Sequence, residues 1–179
     1  MSIKKSLSIT LEILLGIGEF LYEASGYKFS RKSIYKIMNN TYPEWSDAKK
    51  SNWMCKLEIN KYITRDTSSS SDSVILTNKG LIKILENTIV KNKSDGLIRL
   101  VSFDIPEEKR NQRNQFRRTI KRAGFVQIQK SLWATRKNAG DIVEIAAEEY
   151  KINDYVAYIV AKSTNIEDYI DKQLSKHKI

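Results

Sequence analysis

The residues of this chain that are suited to chemistry lie between positions 101 and 133. An apolar strand there ends at Asp104, a proline follows, and Glu107 and Glu108 open a helix that carries most of the arginines in the chain. Carboxylates of this kind bind Mg²⁺ in nucleases, whereas arginines gathered on one helix bind phosphate. The segment therefore allows two chemistries, metal-assisted hydrolysis and nucleic-acid binding.

Other kinds of site are excluded by composition. The sequence has one cysteine, Cys55, and one histidine, His177, so neither a disulfide framework nor a Cys/His zinc site nor a histidine-dependent triad fits. The apolar stretch 11–21 is short and contains Glu12 and Glu19, and no secretion signal is recognisable. We therefore expect a cytoplasmic protein that does not contact a membrane and has no cofactor, with Mg²⁺ at Asp104 as the alternative.

The positive charge is concentrated in one region. The formal net charge is +10, and residues 97–137 hold eleven Lys and Arg against three Asp and Glu. Residues 138–179 hold five against eight. Because each neutralised phosphate releases counterions, such asymmetry predicts that one face binds a polyanion. The alternative is a basic surface that only confers solubility.

The first half has the order of a winged helix-turn-helix. Apolar spacing predicts helices at 6–24 and 46–60, with a short helix capped by Ser30 between them. Two short strands, 62–65 and 74–76, flank a serine-rich tip at 67–73, and T77NKG80 opens a last helix. This ending is similar to the wing and following helix of bacterial winged-helix regulators.

The third helix is the expected DNA reader. On a helical wheel Lys49, Asn52, Trp53 and Lys56 form an outward stripe, and Ala48, Ser51, Met54 and Cys55 lie on the other side. Lysine suits phosphate or guanine and asparagine suits adenine, although a merely solvated helix face is the alternative. Lys61 and Arg65 of the wing are expected on backbone phosphates. The predicted DNA contacts are Lys32, Lys49, Lys50, Asn52, Trp53, Lys56, Lys61 and Arg65.

The second half has a ferredoxin-like order. A polar linker at 92–96 separates a DNA-binding domain, 1–91, from a dimerisation domain, 97–179. Within the latter we predict strands at 97–105, 125–129, 131–136 and 155–161, and helices at 107–123 and 139–150, an α+β βαββαβ domain. Segment 165–174 is amphipathic and is expected to pack on a partner. The auxiliary phosphate contacts predicted on the first helix are Arg110, Arg113, Arg117, Arg118, Lys121 and Arg122.

The stretch V101SFDIPEEKRNQRNQFRRTIKRAGFVQIQKSLW133 resembles the central domain of the phenylacetate-degradation repressor (PaaX-like) family. The shared features are a strand ending Phe-Asp-Ile-Pro-Glu, a run of arginines, Gly-Phe and a later Ser-x-Trp. That domain is similar to the CRISPR-associated adaptation endonuclease, a ferredoxin-like dimer. The resemblance covers residues 6–162 and implies a winged helix before the domain.

Two features depart from the repressor pattern. Members of the repressor family usually carry a further carboxy-terminal domain, and this chain stops soon after its last predicted strand, so acyl-CoA responsiveness is not carried over. Gln129-Lys130-Ser131 looks more like the endonuclease than the repressor. The effector, if there is one, is unknown.

Asp104 has two interpretations. The resemblance to the endonuclease implies that two symmetry-related aspartates share one Mg²⁺ across a dimer. Against this, each protomer offers one such carboxylate and no nearby histidine, whereas a short acceptor before Pro106 and Glu107 suits a helix cap. We favour the cap.

The sequence thus predicts a homodimeric DNA-binding transcriptional regulator, a repressor that occupies a palindromic operator in double-stranded DNA. The rival is a Mg²⁺-dependent endonuclease or a structural subunit of a nucleic-acid-integrating complex. A third possibility, an RNA-binding module, lacks the expected run of aromatics and glycines on the inner strands.

Overall fold

A computed structural model of the chain describes residues 8–23, 28–67, 72–89 and 94–177. The ends of the predicted helix 6–24, part of the serine-rich tip 67–73 and the first residues of the predicted linker lie outside them. Contacts divide the chain into two units, Met1–Ile84 and Leu85–Ile179. None of the described helices is long and apolar enough to cross a membrane. The fold class is α+β, as predicted.

The first unit has the element order of a winged helix. It runs through α1 (Ile9–Glu23), β1 (Lys28–Ser30), α2 (Arg31–Thr41), α3 (Asp47–Ile59), β2 (Ile63–Arg65), β3 (Ser73–Leu76) and α4 (Asn78–Thr88), which continues past the unit boundary. The strands form an antiparallel sheet in the order β1-β3-β2. Strand β1 was not predicted, because three residues with one buried side chain, Phe29, are too few to show an alternating pattern.

Serine caps fix where the two central helices begin. The Ser30 hydroxyl accepts a hydrogen bond from the Ser33 N–H at 3.2 Å, and the Ser46 hydroxyl accepts one from the Lys49 N–H at 3.3 Å. Each satisfies one of the free N–H groups in a first helical turn. Both predicted helix starts are confirmed.

The T77NKG80 motif joins the start of α4 to the start of β2. The Thr77 hydroxyl donates to the Lys61 carbonyl at 2.7 Å and accepts from the Gly80 N–H at 3.1 Å. A Cβ at Gly80 would meet the Tyr62 carbonyl oxygen and would lie 2.6 Å from Leu76 Cδ1. The glycine therefore permits a close approach between the helix and the wing.

The second unit has the ferredoxin-like topology that the sequence predicted. It runs through β4 (Ile98–Phe103), α5 (Arg110–Arg122), β5 (Val126–Gln129), β6 (Leu132–Thr135), α6 (Gly140–Glu149), β7 (Val156–Ala161) and α7 (Glu167–Lys176). The antiparallel sheet has the order β5-β6-β4-β7. Gly124, at φ +92°, follows the C-cap residue Ala123 of α5, as expected.

The two faces of this sheet are covered by different helices. Phe103 on β4 packs edge-on against Phe116 of α5, with ring centroids 5.6 Å apart. On the other face, Ile170 of α7 packs in a buried cluster with Ile98 and Ala134. Segment 165–174, expected to pack on a partner, therefore packs on its own sheet. The amphipathic pattern identified the apolar face of the segment but not the surface that it covers.

Arg136 holds α7 in this place. Its guanidinium donates to Glu167 at 2.6 Å and to both carboxylate oxygens of Asp171 at 3.1 and 2.9 Å. Its remaining terminal nitrogen donates to the Gly96 carbonyl at 3.0 Å. These hydrogen bonds to Glu167 and Asp171 raise the pKa of Arg136 further, so the charge is constant at any physiological pH.

Gly80→Ala is expected to destabilise the first unit. Alanine gains about 1 kcal/mol of helix propensity, but its methyl group would press against a backbone oxygen that has no room to move. The free energy of unfolding in urea, followed by circular dichroism, measures the effect.

Gly18→Ala is the matched control, because its Cβ would meet only the side chain of Ile84, at 3.0 Å, and no backbone atom. We expect a much smaller change for it. A Gly80→Ala protein as stable as the unaltered chain would contradict the proposed contact.

Candidate nucleic-acid interface

Helix α3 buries a face that includes one of the predicted DNA contacts. Lys50 lies on that face with Met54 and Leu57, and its side chain is only 9% exposed. Its ammonium group lies 3.5 Å from the Asp47 carboxylate. The structure thus places Lys50 away from the exposed face on which the other predicted contacts lie, because a wheel gives the angles between residues but not the direction of the core.

The exposed face of α3 differs in part from the predicted stripe. Asn52 is exposed as expected, and so are Lys49 and Lys56. Ala48, Ser51 and Cys55, assigned to the inner side, are exposed as well, whereas Trp53 is half-buried. The outward direction is thus rotated away from Trp53 and towards the small residues.

Trp53 belongs to a stack of three aromatic rings. The Tyr42 and Trp45 rings lie 4.1 Å apart at an interplanar angle of 7°, and Trp45 and Trp53 lie 5.9 Å apart at 18°. Tyr42 and Trp45 come from the turn between α2 and α3. The stack therefore joins the helix to the turn that precedes it, and Trp53 is not a bare base-stacking platform.

Two of the predicted DNA-binding lysines lie over this stack. Lys49 Nζ is 4.6 Å from the Trp45 ring centroid, and Lys56 Nζ is 4.1 Å from the Trp53 centroid. A cation over an indole face gains about 0.5–1 kcal/mol at an exposed site. Both ammonium groups are thus kept on one flank of α3 rather than ranging freely.

Tyr42, the first residue of the stack, is hydrogen-bonded to α1. The Tyr42 hydroxyl donates a short hydrogen bond to the Glu12 carboxylate. Burial, this hydrogen bond and the charge of Glu12 raise the pKa of Tyr42 to about 12. The hydroxyl stays protonated and can donate at any pH at which the protein is folded.

Glu58 on α3 is hydrogen-bonded to arginines on both α2 and β2. Its carboxylate accepts from Arg31, at the start of α2, at 3.2 Å, and from Arg65, on β2, at 3.3 and 3.4 Å. Arg65 is still largely exposed, so a predicted phosphate contact there is sterically open. Lys61 is exposed in the tight turn after α3, at φ +56°.

A polar groove of mixed charge lies beside the start of α2. It has a volume of about 460 Å³, and its lining includes three basic side chains, Arg31, Lys32 and Lys36, and two acidic ones, Asp47 and Asp72. Lys32 was predicted from sequence and is exposed; Tyr35, which also lines the groove, was not predicted, since a half-buried tyrosine has no sequence signature of its own. Because Arg31 lies in ion pairs with carboxylates, the exposed Lys32 and Lys36 are the positive charges that the groove offers to a ligand.

The arginines of α5 fall into two groups. Arg113 donates to the Ile105 carbonyl at 2.9 Å and pairs with Glu107 at 2.6 Å, which lowers the pKa of Glu107. Arg117 donates to the Lys130 carbonyl at 3.2 Å, and its guanidinium lies 5.4 Å from the Phe103 ring centroid. These two side chains therefore make contacts within the second unit, whereas the sequence had placed both among the phosphate contacts.

The other basic residues of α5 remain at the surface. Arg118 and Lys121 are exposed. Arg110 and Arg122 are also mostly exposed, although each faces a carboxylate, Glu107 at 3.6 Å and Glu86 at 3.3 Å. The basic face of α5 is therefore smaller than its sequence indicated.

Asp104 does not cap a helix. A 3-10 turn at Glu107–Lys109 separates it from α5, and neither that turn nor α5 has a side-chain cap. The preferred cap interpretation is thus wrong, because the free N–H groups of α5 begin six residues further on. Asp104 is exposed, and the described residues contain no cluster of three or more metal-ligating side chains.

Arg117→Ala is expected to lower the stability of the second unit by about 1–3 kcal/mol, since it removes the bond to Lys130 and the packing on Phe103. Arg118→Ala, one position along the same helix, is the matched control and should change stability by no more than about 0.5 kcal/mol. Urea unfolding distinguishes the two. Equal effects would contradict the division of the arginines.

The comparisons with known proteins concern the second unit. The family model described as the PaaX protein central Cas2-like domain matches residues 91–173. No curated protein and no solved structure matches the chain. The matched region contains the whole βαββαβ sheet and most of α7. Residues 91–173 are therefore similar to the central Cas2-like domain of the PaaX protein, as the resemblance in the sequence predicted.

Proposed function

We propose that this protein is a DNA-binding transcriptional regulator that acts as a repressor by occupying promoter DNA. The observation that carries the proposal is α3, an exposed helix that follows a tight turn and presents Lys49, Asn52 and Lys56 next to a wing. A helix in this position docks in the major groove in helix-turn-helix proteins. The PaaX family match supports a role in transcription regulation.

The basic groups around α3 supply the general affinity for DNA. Lys32 and Lys36 on α2, and Lys61 and Arg65 at the wing, are exposed on the elements that precede and follow α3 in the chain. Contacts of this kind to phosphates set the orientation of a domain on the duplex without reading its sequence. On the second unit, the exposed Arg118 and Lys121 add auxiliary phosphate contacts.

We further propose that the protein is a homodimer joined through the edge strand β7. This strand lies at the outer edge of its sheet, and Ile159 and Val160 are 45% and 52% exposed. Natural proteins protect long apolar edges, because the unpaired backbone groups invite another strand. The opposite edge is less open, since β5 contains a bulge and α7 packs beside it.

A second copy is the partner that fits this edge. Antiparallel pairing of β7 with itself, centred on Tyr158, places Val156 opposite Val160 of the partner subunit. Such a two-fold contact is self-complementary, and it would give the two winged helices the symmetry of a palindromic operator.

Reversing the charge of Lys49 and Lys56 together is expected to reduce affinity for the chain's own upstream DNA by at least about a hundredfold, because two favourable phosphate contacts become repulsive. Fluorescence anisotropy with a labelled duplex, in EDTA and at fixed salt, measures the change. Lys172→Glu with Lys176→Glu is the matched control, since both lie on α7 and the change in net charge is the same. Equal losses for the two double variants would refute specific docking by α3.

Ile159→Lys is expected to convert the dimer to a monomer, since it introduces two like charges beside the paired strands. Tyr169→Lys is the control, because Tyr169 is similarly exposed, at 47%, but lies on α7. Light scattering after size exclusion gives the mass of each variant. A dimer that survives Ile159→Lys and dissociates with Tyr169→Lys would place the interface elsewhere.

A further inference from the structure

The centre of the exposed face of α3 is not basic. Its residues, Ala48, Ser51, Asn52 and Cys55, recur at spacings of three and four and are all exposed. Ile59 continues the same row and is 72% exposed, more than any other large apolar residue in the described chain. An apolar side chain left so open at the end of a helix gains free energy only when another apolar group covers it.

The chemistry of this row differs from that of a guanine reader. The sequence of α3, DAKKSNWMCKLEI, contains no arginine, the side chain that most often contacts guanine O6 and N7. Lys49 and Lys56 are the basic side chains nearest to the row, but the Trp45 and Trp53 rings hold their ammonium groups to one flank. These lysines are therefore placed for phosphates beside the groove rather than for base edges at its centre.

The row can present to a base edge the amide of Asn52, the hydroxyl of Ser51 and the apolar surface of the remaining side chains. An asparagine amide forms two hydrogen bonds with N6 and N7 of adenine. Ala48, Cys55 and Ile59 present apolar surface, which in the major groove matches the C5-methyl group of thymine. Both kinds of group belong to A·T pairs.

We infer that α3 reads A·T base pairs, with Asn52 as the adenine-reading residue and the apolar row Ala48, Cys55 and Ile59 as the surface that recognises thymine methyl groups. This inference rests on the proposed function, because it assumes that α3 enters the major groove. It adds the class of DNA sequence that the helix selects. It also separates the residues that recognise bases from those that only attract the phosphate backbone.

The first experiment selects bound sequences from a random duplex library and then modifies the best duplex. Replacing thymine with deoxyuridine removes only the C5-methyl group, and replacing guanine with 7-deazaguanine removes only the N7 acceptor. We expect A·T pairs at the centre of each half-site. We also expect at least about a fivefold loss of affinity from deoxyuridine at one of those positions and little change from 7-deazaguanine.

Two variants distinguish base recognition by α3 from its general attraction to the phosphate backbone. Asn52→Ala should weaken binding to the selected duplex by at least about fivefold. The affinity of this variant for the selected duplex should then be close to its affinity for a duplex in which the central adenine is changed. Lys49→Ala is the control, and it should weaken binding to both duplexes by the same factor, leaving their ratio unchanged. Circular dichroism confirms that each exposed substitution leaves the fold intact.

The outcomes are distinguishable. Specific binding that is lost with 7-deazaguanine and unaffected by deoxyuridine would overturn the inference but leave the proposed function standing. Specific binding with an unchanged discrimination ratio in Asn52→Ala would remove Asn52 from the reading role. A library from which no sequence is enriched would overturn the proposed function, and the inference with it.

Discussion

The stack of Tyr42, Trp45 and Trp53 is the contact on which the proposed interface depends. It fixes the rotation of α3 about its own axis, since Trp53 must lie against Trp45. That rotation in turn buries Lys50 and exposes Ala48, Ser51 and Cys55. The same rings hold Lys49 and Lys56 to one flank. One packing interaction thus separates the flank of α3 that we propose attracts phosphate from the centre that we propose reads bases.

In the second unit, helices of the same chain pack on both faces of the sheet. Its helix-covered face holds the Phe103–Phe116 core, and its other face is occupied by α7, which Arg136 fixes in place. Helix α7 thus occupies the β5–β6 side of the face on which ferredoxin-like domains can bind RNA, which disfavours the RNA-binding alternative. The edge of β7 remains as the apolar surface available to a second copy.

Much of the fold was predictable because it depends on local signals. Ser30 and Ser46 are caps, Thr77 and Gly80 mark a helix start, and Gly124 follows the end of α5, each for a reason contained in a few residues. The errors concern contacts and chain geometry that the spacing of residue types does not show. Whether Trp53 points outward depends on Trp45, and whether Asp104 caps a helix depends on the 3-10 turn after Pro106. The binding role of Arg117 depends likewise on Lys130, thirteen residues away.

In the proposed function the winged helix contacts the DNA, and the Cas2-like unit pairs two copies of the chain. Hydroxyl-radical footprinting of the protein on its own upstream DNA, in EDTA, tests this most directly. We predict two protected half-sites related by two-fold symmetry, about 10 base pairs or a multiple apart from centre to centre, with none on a scrambled duplex. Uniform, salt-sensitive protection of both duplexes would contradict the account.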